Sequence, residues 1–378
     1  MKGIKRRAIA VLGLSVASAL IGVGVANADP VIPVGGHTYD RPLQGEGSDT
    51  TEGVMNGLSE VVTSGGNKVI SSYNALGSTG FQTRASGCTY TGNPASGYVE
   101  GQRANGSGPG VNALNDAFVT PTKATNGCLD FARASSVQGA QTVGMTYVPF
   151  AKDAVAFAVT NSSNIPRSLS IADLTAMYRC TYPGFTGATP TRHALLPQAG
   201  SGTRKFWLSK IGVTEQNITD DRAAGKNCVS DQKDRTSLGG SNFIEEHQGN
   251  VLDDNSVVPI SIAQYIAQSQ GSLADVRGRA ILGTVVDQNS SGSTPATQFS
   301  LPMSMNASYG NVTGGVTMSR DVYNVIPTQT VGNGSYALLN QTFVGNSSLV
   351  CQNSATILKY GFGAVANCGD TSTTTAGQ

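Results

Sequence analysis

Charged residues are scarce in this chain. They make up 13% of its 378 residues, and 25 Lys and Arg against 24 Asp and Glu leave a formal net charge of +1 at pH 7. Proteins that bind nucleic acid or an acidic membrane surface present a basic field, which this balance does not provide. We therefore expect neither nucleic acid nor a charged membrane surface as a partner.

Potential metal ligands are also few. The three histidines, His37, His193 and His247, are isolated from one another, and no two of the six cysteines are close in sequence. Zinc sites usually draw their ligands from closely spaced pairs of such residues. The sequence therefore predicts no metal and no cofactor.

The N-terminus has the pattern of an export signal. Basic residues in Met1–Arg7 are followed by the uncharged apolar stretch Ala8–Val25 and by Ala26–Ala28, a small-residue cleavage pattern. We expect a signal peptide over residues 1–28, with a retained membrane anchor as the alternative. Since no cysteine stands at the cleavage site, we expect a secreted, cell-surface or periplasmic protein without a lipid anchor there.

The cysteines fit an exported chain. All six follow the expected cleavage site, and an even number in such a chain indicates disulfide bonds. Pairs between sequence neighbours would each enclose one loop-rich segment, which favours the bonds Cys88–Cys128, Cys180–Cys228 and Cys351–Cys368.

Length and periodicity indicate two α/β units. Residues 29–378 exceed the roughly 250 to 300 residues at which a single core stops growing. Short apolar runs predict strands at Val69–Tyr73, Asp153–Thr160 and Ala280–Val286, and a capping-box pattern begins a helix at Ser170. Alternation of strands and helices predicts mainly parallel sheets flanked by helices. The polar segment 287–315 reads as long loops, and the tail after Cys368 as disordered.

Three loops rich in Gly, Ser and Thr lead directly into helical patterns. They lie at 45–51, 106–110 and 200–203. Each would place free backbone N–H groups and hydroxyls at a helix N-terminus, where the helix dipole favours an anion. A fourth polar loop lies at 130–136. One such loop is usually a simple helix cap, but several in one chain favour an oxyanion site.

The order of these segments resembles a known family. GSDTTEG, GSGPGVNAL, DFARASS, VPFAKDAVAFAVT, SLSIADLTAMY, LPQAGSGTRKFW and SRDVYNVIP follow one another as in the phosphate-binding proteins that feed ABC phosphate importers. The resemblance implies a two-lobed clamp of the type II periplasmic-binding class. It implies a first lobe over 29–153, a second over 154–320 and a return segment over 321–378, with crossings near 151–155 and 318–323.

The resemblance also implies a function and a site. The chain would capture a small oxyanion, phosphate first, for an ABC permease, and would be a monomeric binding protein rather than an enzyme. The residues that match the family's ligand-binding positions, or could replace missing ones, are Ser48, Asp49, Thr50, Ser107, Gly108, Arg133, Ser135, Ser136, Ser201, Gly202, Thr203 and Arg204.

Two positions depart from the family pattern. Where the family has an arginine and an aspartate before GSGT, this chain has Pro197 and Ala199. A carboxylate facing the ligand accepts a hydrogen bond from protonated phosphate and repels sulfate. Asp49 is the candidate for that acceptor, and Arg133 or Arg204 for the lost cation.

Two other functions remain open from the sequence. A secreted or surface protein could reuse the same fold for adhesion or for another ligand. A secreted serine hydrolase is the less favoured alternative, because the only related pattern, Ser230 to Lys233 (S-x-x-K), lacks its companion motifs.

Overall fold

The computed structural model describes residue 29 and residues 41–77, 80–92, 97–119, 123–286, 299–300, 304–305 and 318–377. The expected signal peptide, residues 1–28, lies outside the described residues. So does most of the segment 287–315 for which the sequence predicts long loops.

Strands and helices alternate along the described chain. The first part contains β1 (Leu43–Gly47), α1 (Glu52–Val61), β2 (Thr63–Ser64), β3 (Asn67–Lys68), β4 (Ile70–Ser72), β5 (Phe81–Gln82), β6 (Thr89–Tyr90), α2 (Ser107–Val119), β7 (Phe131–Ala134) and β8 (Met145–Thr160). The middle part contains β9 (Ser168–Ser170), α3 (Ile171–Tyr178), β10 (His193–Leu195), α4 (Gly202–Lys210), α5 (Glu215–Ala223), β11 (Val229–Ser230), β12 (Ser256–Ser261), α6 (Ile262–Ser269), β13 (Ala280–Leu282), β14 (Thr284–Val286), β15 (Phe299–Ser300) and β16 (Ser304–Met305). The last part contains β17 (Ser319–Pro327), α7 (Ala337–Phe343), α8 (Leu349–Gln352), α9 (Ser354–Lys359) and β18 (Thr374–Thr375).

One large sheet runs through the molecule in the strand order β11-β10-β12-β8-β17-β7-β1-β4. Strands β4, β1 and β7 are mutually parallel at one end, and β11, β10 and β12 are parallel at the other. Between these groups lie β8 and β17, which are antiparallel to each other. The predicted α/β fold, with a mainly parallel sheet in each lobe, is confirmed.

Strands β8 and β17 join the two lobes. The first part of β8, Met145–Ala154, pairs with β17, and its second part, Val155–Thr160, pairs with β12 and β13 of the other lobe. The chain therefore passes between the lobes along these two strands. The lobe boundaries implied by the resemblance, after residue 153 and after residue 320, fall within them and stay predictions.

Each lobe has its own apolar core. In the first lobe, α1 and α7 to α9 pack on one face of the sheet and α2 packs on the other. Both faces carry apolar side chains, because successive residues of a strand point to opposite faces. In the second lobe, helices α3 and α4 pack Leu174, Met177 and Trp207 against Val155 and Phe157 of β8. The two cores fix the helix N-termini that face the cleft between the lobes.

Local signals in the sequence predict several elements correctly. Helix α3 begins after Ser170 with the expected capping box, in which Ser170 and Asp173 bond each other's backbone N–H. The run Ala280–Val286, by contrast, is two strands rather than one. Gly283 lies between them, where a Cβ would lie 2.0 Å from Phe157, and β13 pairs with β8 while β14 pairs with β9.

The three predicted disulfide bonds are confirmed. Cys88–Cys128, Cys180–Cys228 and Cys351–Cys368 are bonded, with Cα–Cα distances of 5.2, 5.6 and 6.0 Å. Each closes a loop within one lobe. Bonds that close loops of this size typically stabilise a fold by about 3 to 4 kcal/mol.

The prediction of a disordered C-terminal tail is wrong. Thr374 and Thr375 form β18, which pairs antiparallel with Thr146 and Met145 of β8. Without this strand, the start of β8 would leave unpaired backbone groups at an open edge. The composition of the tail carries no sign of this pairing, which depends on a partner strand far away in sequence.

Candidate functional site

The N-terminus of α4 lies at the cleft between the lobes. Ser201 caps the helix, accepting a hydrogen bond from the N–H of Arg204 at 3.0 Å. The first turn of α4 contains no acidic residue. The positive end of the helix dipole is therefore not neutralised from within the helix.

Glycine is required where α4 meets the first lobe. A Cβ on Gly202 would lie 2.3 Å from the Ser135 Oγ and 2.4 Å from the Ser107 Oγ. At Gly106, where φ is 113°, a Cβ would lie 2.6 Å from the carbonyl oxygen of Gly200. The two lobes thus approach each other through backbone, as a close contact with a small ligand would require.

Three serines of the first lobe form a group at this contact, called here the serine cluster: Ser48, Ser107 and Ser135. The Ser107 Oγ accepts the N–H of Ser135 at 2.9 Å, and the Ser135 Oγ lies 3.2 Å from the Ser48 Oγ and 3.3 Å from the Ser107 Oγ. All three residues are buried. The structure therefore brings three of the predicted site residues together.

A second group of hydroxyls comes from both lobes: Thr50 from the first, and Ser201 and Thr203 from the second. We call it the hydroxyl cluster. The Thr50 and Thr203 Oγ1 atoms are 3.1 Å apart, which makes a direct contact across the cleft. These three residues are also predicted site residues. Gly202, which lies between Ser201 and Thr203 in the chain, is packed against Ser107 and Ser135 of the serine cluster.

A carboxylate occupies the centre of the hydroxyl cluster. Thr50 and Ser201 donate hydrogen bonds to the two oxygens of Glu246. Thr203 donates to the same carboxylate through its Oγ1 at 3.2 Å and, at 3.4 Å, through its backbone N–H. Glu246 is 1% exposed. Each of its two oxygens therefore accepts hydrogen bonds from the hydroxyl cluster.

An arginine also reaches this group. Arg320, from the crossing strand β17, donates from Nη2 to the Thr203 Oγ1 at 2.8 Å and to the Asp153 carboxylate at 2.8 Å. Its Nη1 is buried and has no hydrogen-bond partner among the described residues. The guanidinium that contacts Thr203 thus keeps one nitrogen without a hydrogen-bond partner from the described part of the chain.

The arginines predicted from the sequence have other partners. Arg133 donates to Ser72 and to the backbone carbonyls of Gly47, Ser48 and Tyr73, and so holds the first loop in place. Arg204 donates to Glu215, Asp231 and the carbonyl of Pro197. Neither guanidinium contacts the hydroxyl cluster in the described structure.

Asp49 faces a neighbouring cavity of about 220 Å³, which Glu52, His247 and Gln264 also line. Its carboxylate lies 3.6 Å from the His247 Nε2. Burial, together with the nearby charges of Glu52, Glu245 and Glu246, raises the pKa of Asp49 well above its usual value. Asp49 is therefore a carboxyl group that holds a proton readily, one residue away from Thr50.

The remaining predicted residues lie at the edge of the site. Gly108 donates its N–H to the carbonyl of Gly200 at 3.2 Å. Ser136 is partly buried, and its hydroxyl accepts a hydrogen bond from Gln138 at 2.8 Å. The S-x-x-K pattern begins at the last residue of β11, where the Ser230 Oγ donates to the carbonyl of Ser237 at 2.8 Å.

Sequence reasoning missed Glu246 and Arg320. Glu246 belongs to a polar segment after Cys228, where only the adjacent pair Glu245–Glu246 could have drawn notice. Arg320 lies in the segment SRDVYNVIP, which was matched to a crossing and not to the site. In the described part of the chain, no cluster of metal-ligating side chains occurs, and no helix is both long and apolar enough to span a bilayer.

No family model matches this chain, and no curated protein does. Solved structures that are similar to it include phosphate-binding proteins. A putative phosphate ABC transporter substrate-binding protein with bound phosphate, from Clostridium perfringens, is 14% identical, with 85% of this chain and 99% of that chain covered and a TM-score of 0.49. An ABC-type phosphate transport receptor from Vibrio cholerae is 13% identical, with 85% and 100% covered and a TM-score of 0.46. A phosphate-binding protein from Stenotrophomonas maltophilia is 12% identical, with 86% and 91% covered and a TM-score of 0.41.

Proposed function

We propose that this protein captures a small oxyanion, inorganic phosphate first, in the cleft between its lobes, and delivers it to an ABC-type permease. It acts by binding and release, and no residue is assigned a catalytic role. Its three disulfide bonds support an exported location.

The observation that carries this proposal is the convergence on the Glu246 carboxylate. Hydroxyls of Thr50 from one lobe and of Ser201 and Thr203 from the other donate to one buried anionic group at the N-terminus of α4. A group of neutral donors that already holds two carboxylate oxygens can hold the oxygens of a phosphate in the same way. The serine cluster and the Arg320 Nη1 supply further donors within the same cleft.

Asp49 is the acidic group that bears on the choice between phosphate and sulfate. It adjoins Thr50, and burial raises its pKa well above the usual value. Phosphate carries a proton at neutral pH that an ionised carboxylate can accept, whereas fully ionised sulfate has none to donate. The preference for phosphate over sulfate should therefore grow as pH rises and Asp49 ionises.

Calorimetric titration of the full-length protein, purified without phosphate buffer, tests the proposal. We expect saturable binding of one phosphate per chain and at least tenfold weaker binding of sulfate. Chloride at the same ionic strength serves as the control for nonspecific anion effects. Absence of phosphate binding, both in the wild type and in the Glu246 variants described below, would overturn the proposed function.

A further inference from the structure

We propose that Glu246 is an intramolecular ligand, which occupies the oxyanion position in the absence of phosphate and must leave before phosphate binds. This inference rests on the proposed function and adds a property of the chain itself. Affinity for the anion is then set partly by competition from a side chain of the same protein.

The contacts of Glu246 are those of a bound anion. Its carboxylate takes hydrogen bonds from Thr50, Ser201 and Thr203, and so it uses the same hydroxyls that a phosphate would need. Two anions cannot share these donors, because each hydroxyl has a single proton to donate and the like charges repel at close range. Occupancy by Glu246 and by phosphate is therefore mutually exclusive.

The carboxylate also connects the two lobes. Thr50 precedes α1 in the first lobe, while Ser201 and Thr203 begin α4 in the second. A side chain that bonds all three holds the cleft closed without any external ligand. The ligand-free protein is then compact, and removal of the carboxylate favours an open arrangement of the lobes.

No cation is paired with Glu246. Among the described residues, no Lys, Arg or His side chain forms a salt bridge with its carboxylate, and its donors are hydroxyls and one backbone N–H. A buried carboxylate without a paired cation loses its hydration at a cost that neutral hydrogen bonds only partly offset. Return of the carboxylate to water recovers this hydration, which offsets part of the loss of its hydrogen bonds.

The loop that carries Glu246 is anchored on one side and strained on the other. Ile244 is fixed by backbone bonds from its N–H to Asp231 and from Gln198 to its carbonyl, both at 2.8 Å. The next residue after Glu246, His247, has φ of 52°, a left-handed conformation that costs energy for a residue with a Cβ.

Binding of radiolabelled inorganic phosphate, measured by equilibrium dialysis, tests the inference with wild-type protein, Glu246→Ala and Glu246→Gln. If the open state is populated one part in ten or less, loss of the competitor tightens apparent phosphate binding at least tenfold in Glu246→Ala. Glu246→Gln keeps the size of the side chain, removes its charge and places an amide donor against hydroxyl donors. It should tighten binding in the same direction, even if the alanine variant folds poorly.

Glu245→Ala is the matched control, because it removes a neighbouring buried carboxyl that bonds Asn105 and not the hydroxyl cluster. It should change phosphate affinity less than Glu246→Ala does. Small-angle scattering supplies an independent readout. The ligand-free Glu246→Ala variant should have a larger radius of gyration than ligand-free wild type, and phosphate should reduce it.

The outcomes separate the two proposals. If wild type binds phosphate but both Glu246 variants bind it equally or more weakly, the competitor role is overturned and the proposed function stands. If neither the wild type nor either variant binds phosphate, the proposed function falls, and the competitor role falls with it. Tighter binding in the variants, with an expanded ligand-free form, supports both.

Discussion

The N-termini of α3 and α4 look alike in sequence and differ in what completes them. Both are capped by a serine whose Oγ accepts the N–H of the residue three positions later, at 3.0 Å in each case. In α3 that residue is Asp173, whose carboxylate bonds back to Ser170 and neutralises the helix end. In α4 the residue three positions after the capping serine is Arg204, which is a cation. The carboxylate at this helix end is that of Glu246, 45 residues away from Ser201.

This difference distinguishes a structural cap from a binding site. Helix α3 satisfies its first turn with its own residues, so it has no need of an external anion. Helix α4 has no acidic residue in its first turn, and the hydroxyls of Thr50, Ser107 and Ser135 lie close to its first residues. A helix end that requires an anion from elsewhere can accept it from the same chain or from solution.

The largest effect on phosphate affinity is expected from a substitution at Gly202, the first residue of α4, in comparison with Ile171, the first residue of α3. Gly202→Ala would place a Cβ within 2.4 Å of the Ser107 and Ser135 hydroxyls, which forces the lobes apart or rotates the hydroxyls away. We expect phosphate affinity to fall by more than tenfold. The overpacking should also lower the free energy of unfolding, by about 1 to 3 kcal/mol, partly offset because Ala favours a helix over Gly by about 1 kcal/mol.

Ile171→Ala, at the same position of α3, is the comparison for Gly202→Ala. It should leave phosphate affinity unchanged, although it trims a partly buried side chain next to the core of the second lobe. Calorimetric titration measures both variants. Equal affinities of wild type and Gly202→Ala would show that the lobes do not close on the ligand at this point.

A smaller effect is expected from the pH dependence of stability. Burial raises the pKa of Glu245 from 4.5 to about 7. The folded state therefore binds more protons than the unfolded state between these values, so this group lowers the free energy of unfolding as pH rises from about 4.5 to about 7. Above pH 7 its effect is constant.

Urea denaturation of wild type and Glu245→Gln at pH 5, 6, 7 and 8 measures this contribution as a difference between the two proteins. The variant should gain stability relative to wild type as pH rises to 7, and the gain should then level off. Acids distant from Glu245 titrate alike in both proteins and cancel in the comparison, whereas the pKa of Asp49, which Glu245 helps to raise, should fall in the variant. A difference that does not vary with pH would show that Glu245 is not buried as a neutral acid.

The sequence predicts features whose cause is local and misses those whose cause is distant. The capping box of α3 and the GSGT start of α4 each span four consecutive residues, and the structure has both at the predicted positions. The contact of Arg320 with Thr203 joins residues 117 positions apart. No periodicity or spacing encodes such a contact, because it depends on how the two lobes meet.

Arg204 is a second residue whose contacts could not be predicted from the sequence. Its position after the GSGT motif made it a candidate for the missing cation, yet its guanidinium turns away to Glu215 and Asp231. The choice between two nearby anions and a ligand is made by packing around α4 and α5. The three disulfide bonds were predictable because each joins neighbouring cysteines across one loop-rich segment, so the pairing follows from chain order.

The comparison of the two capping serines, Ser170 and Ser201, tests most directly whether the N-terminus of α4 binds phosphate while that of α3 does not. Phosphate titration and urea denaturation are measured for Ser170→Ala and Ser201→Ala in the Glu246→Ala background, where no competing carboxylate uses the Ser201 hydroxyl. Each loses a helix cap, so each should lower the free energy of unfolding by about 1 kcal/mol. Only Ser201→Ala should also weaken phosphate binding, by about tenfold, because it removes a charge-assisted hydrogen bond to the anion worth roughly 1.5 to 3 kcal/mol. Equal phosphate affinities of Glu246→Ala alone and of its combinations with Ser170→Ala and Ser201→Ala would contradict the account, since Ser201 would then be a helix cap like Ser170.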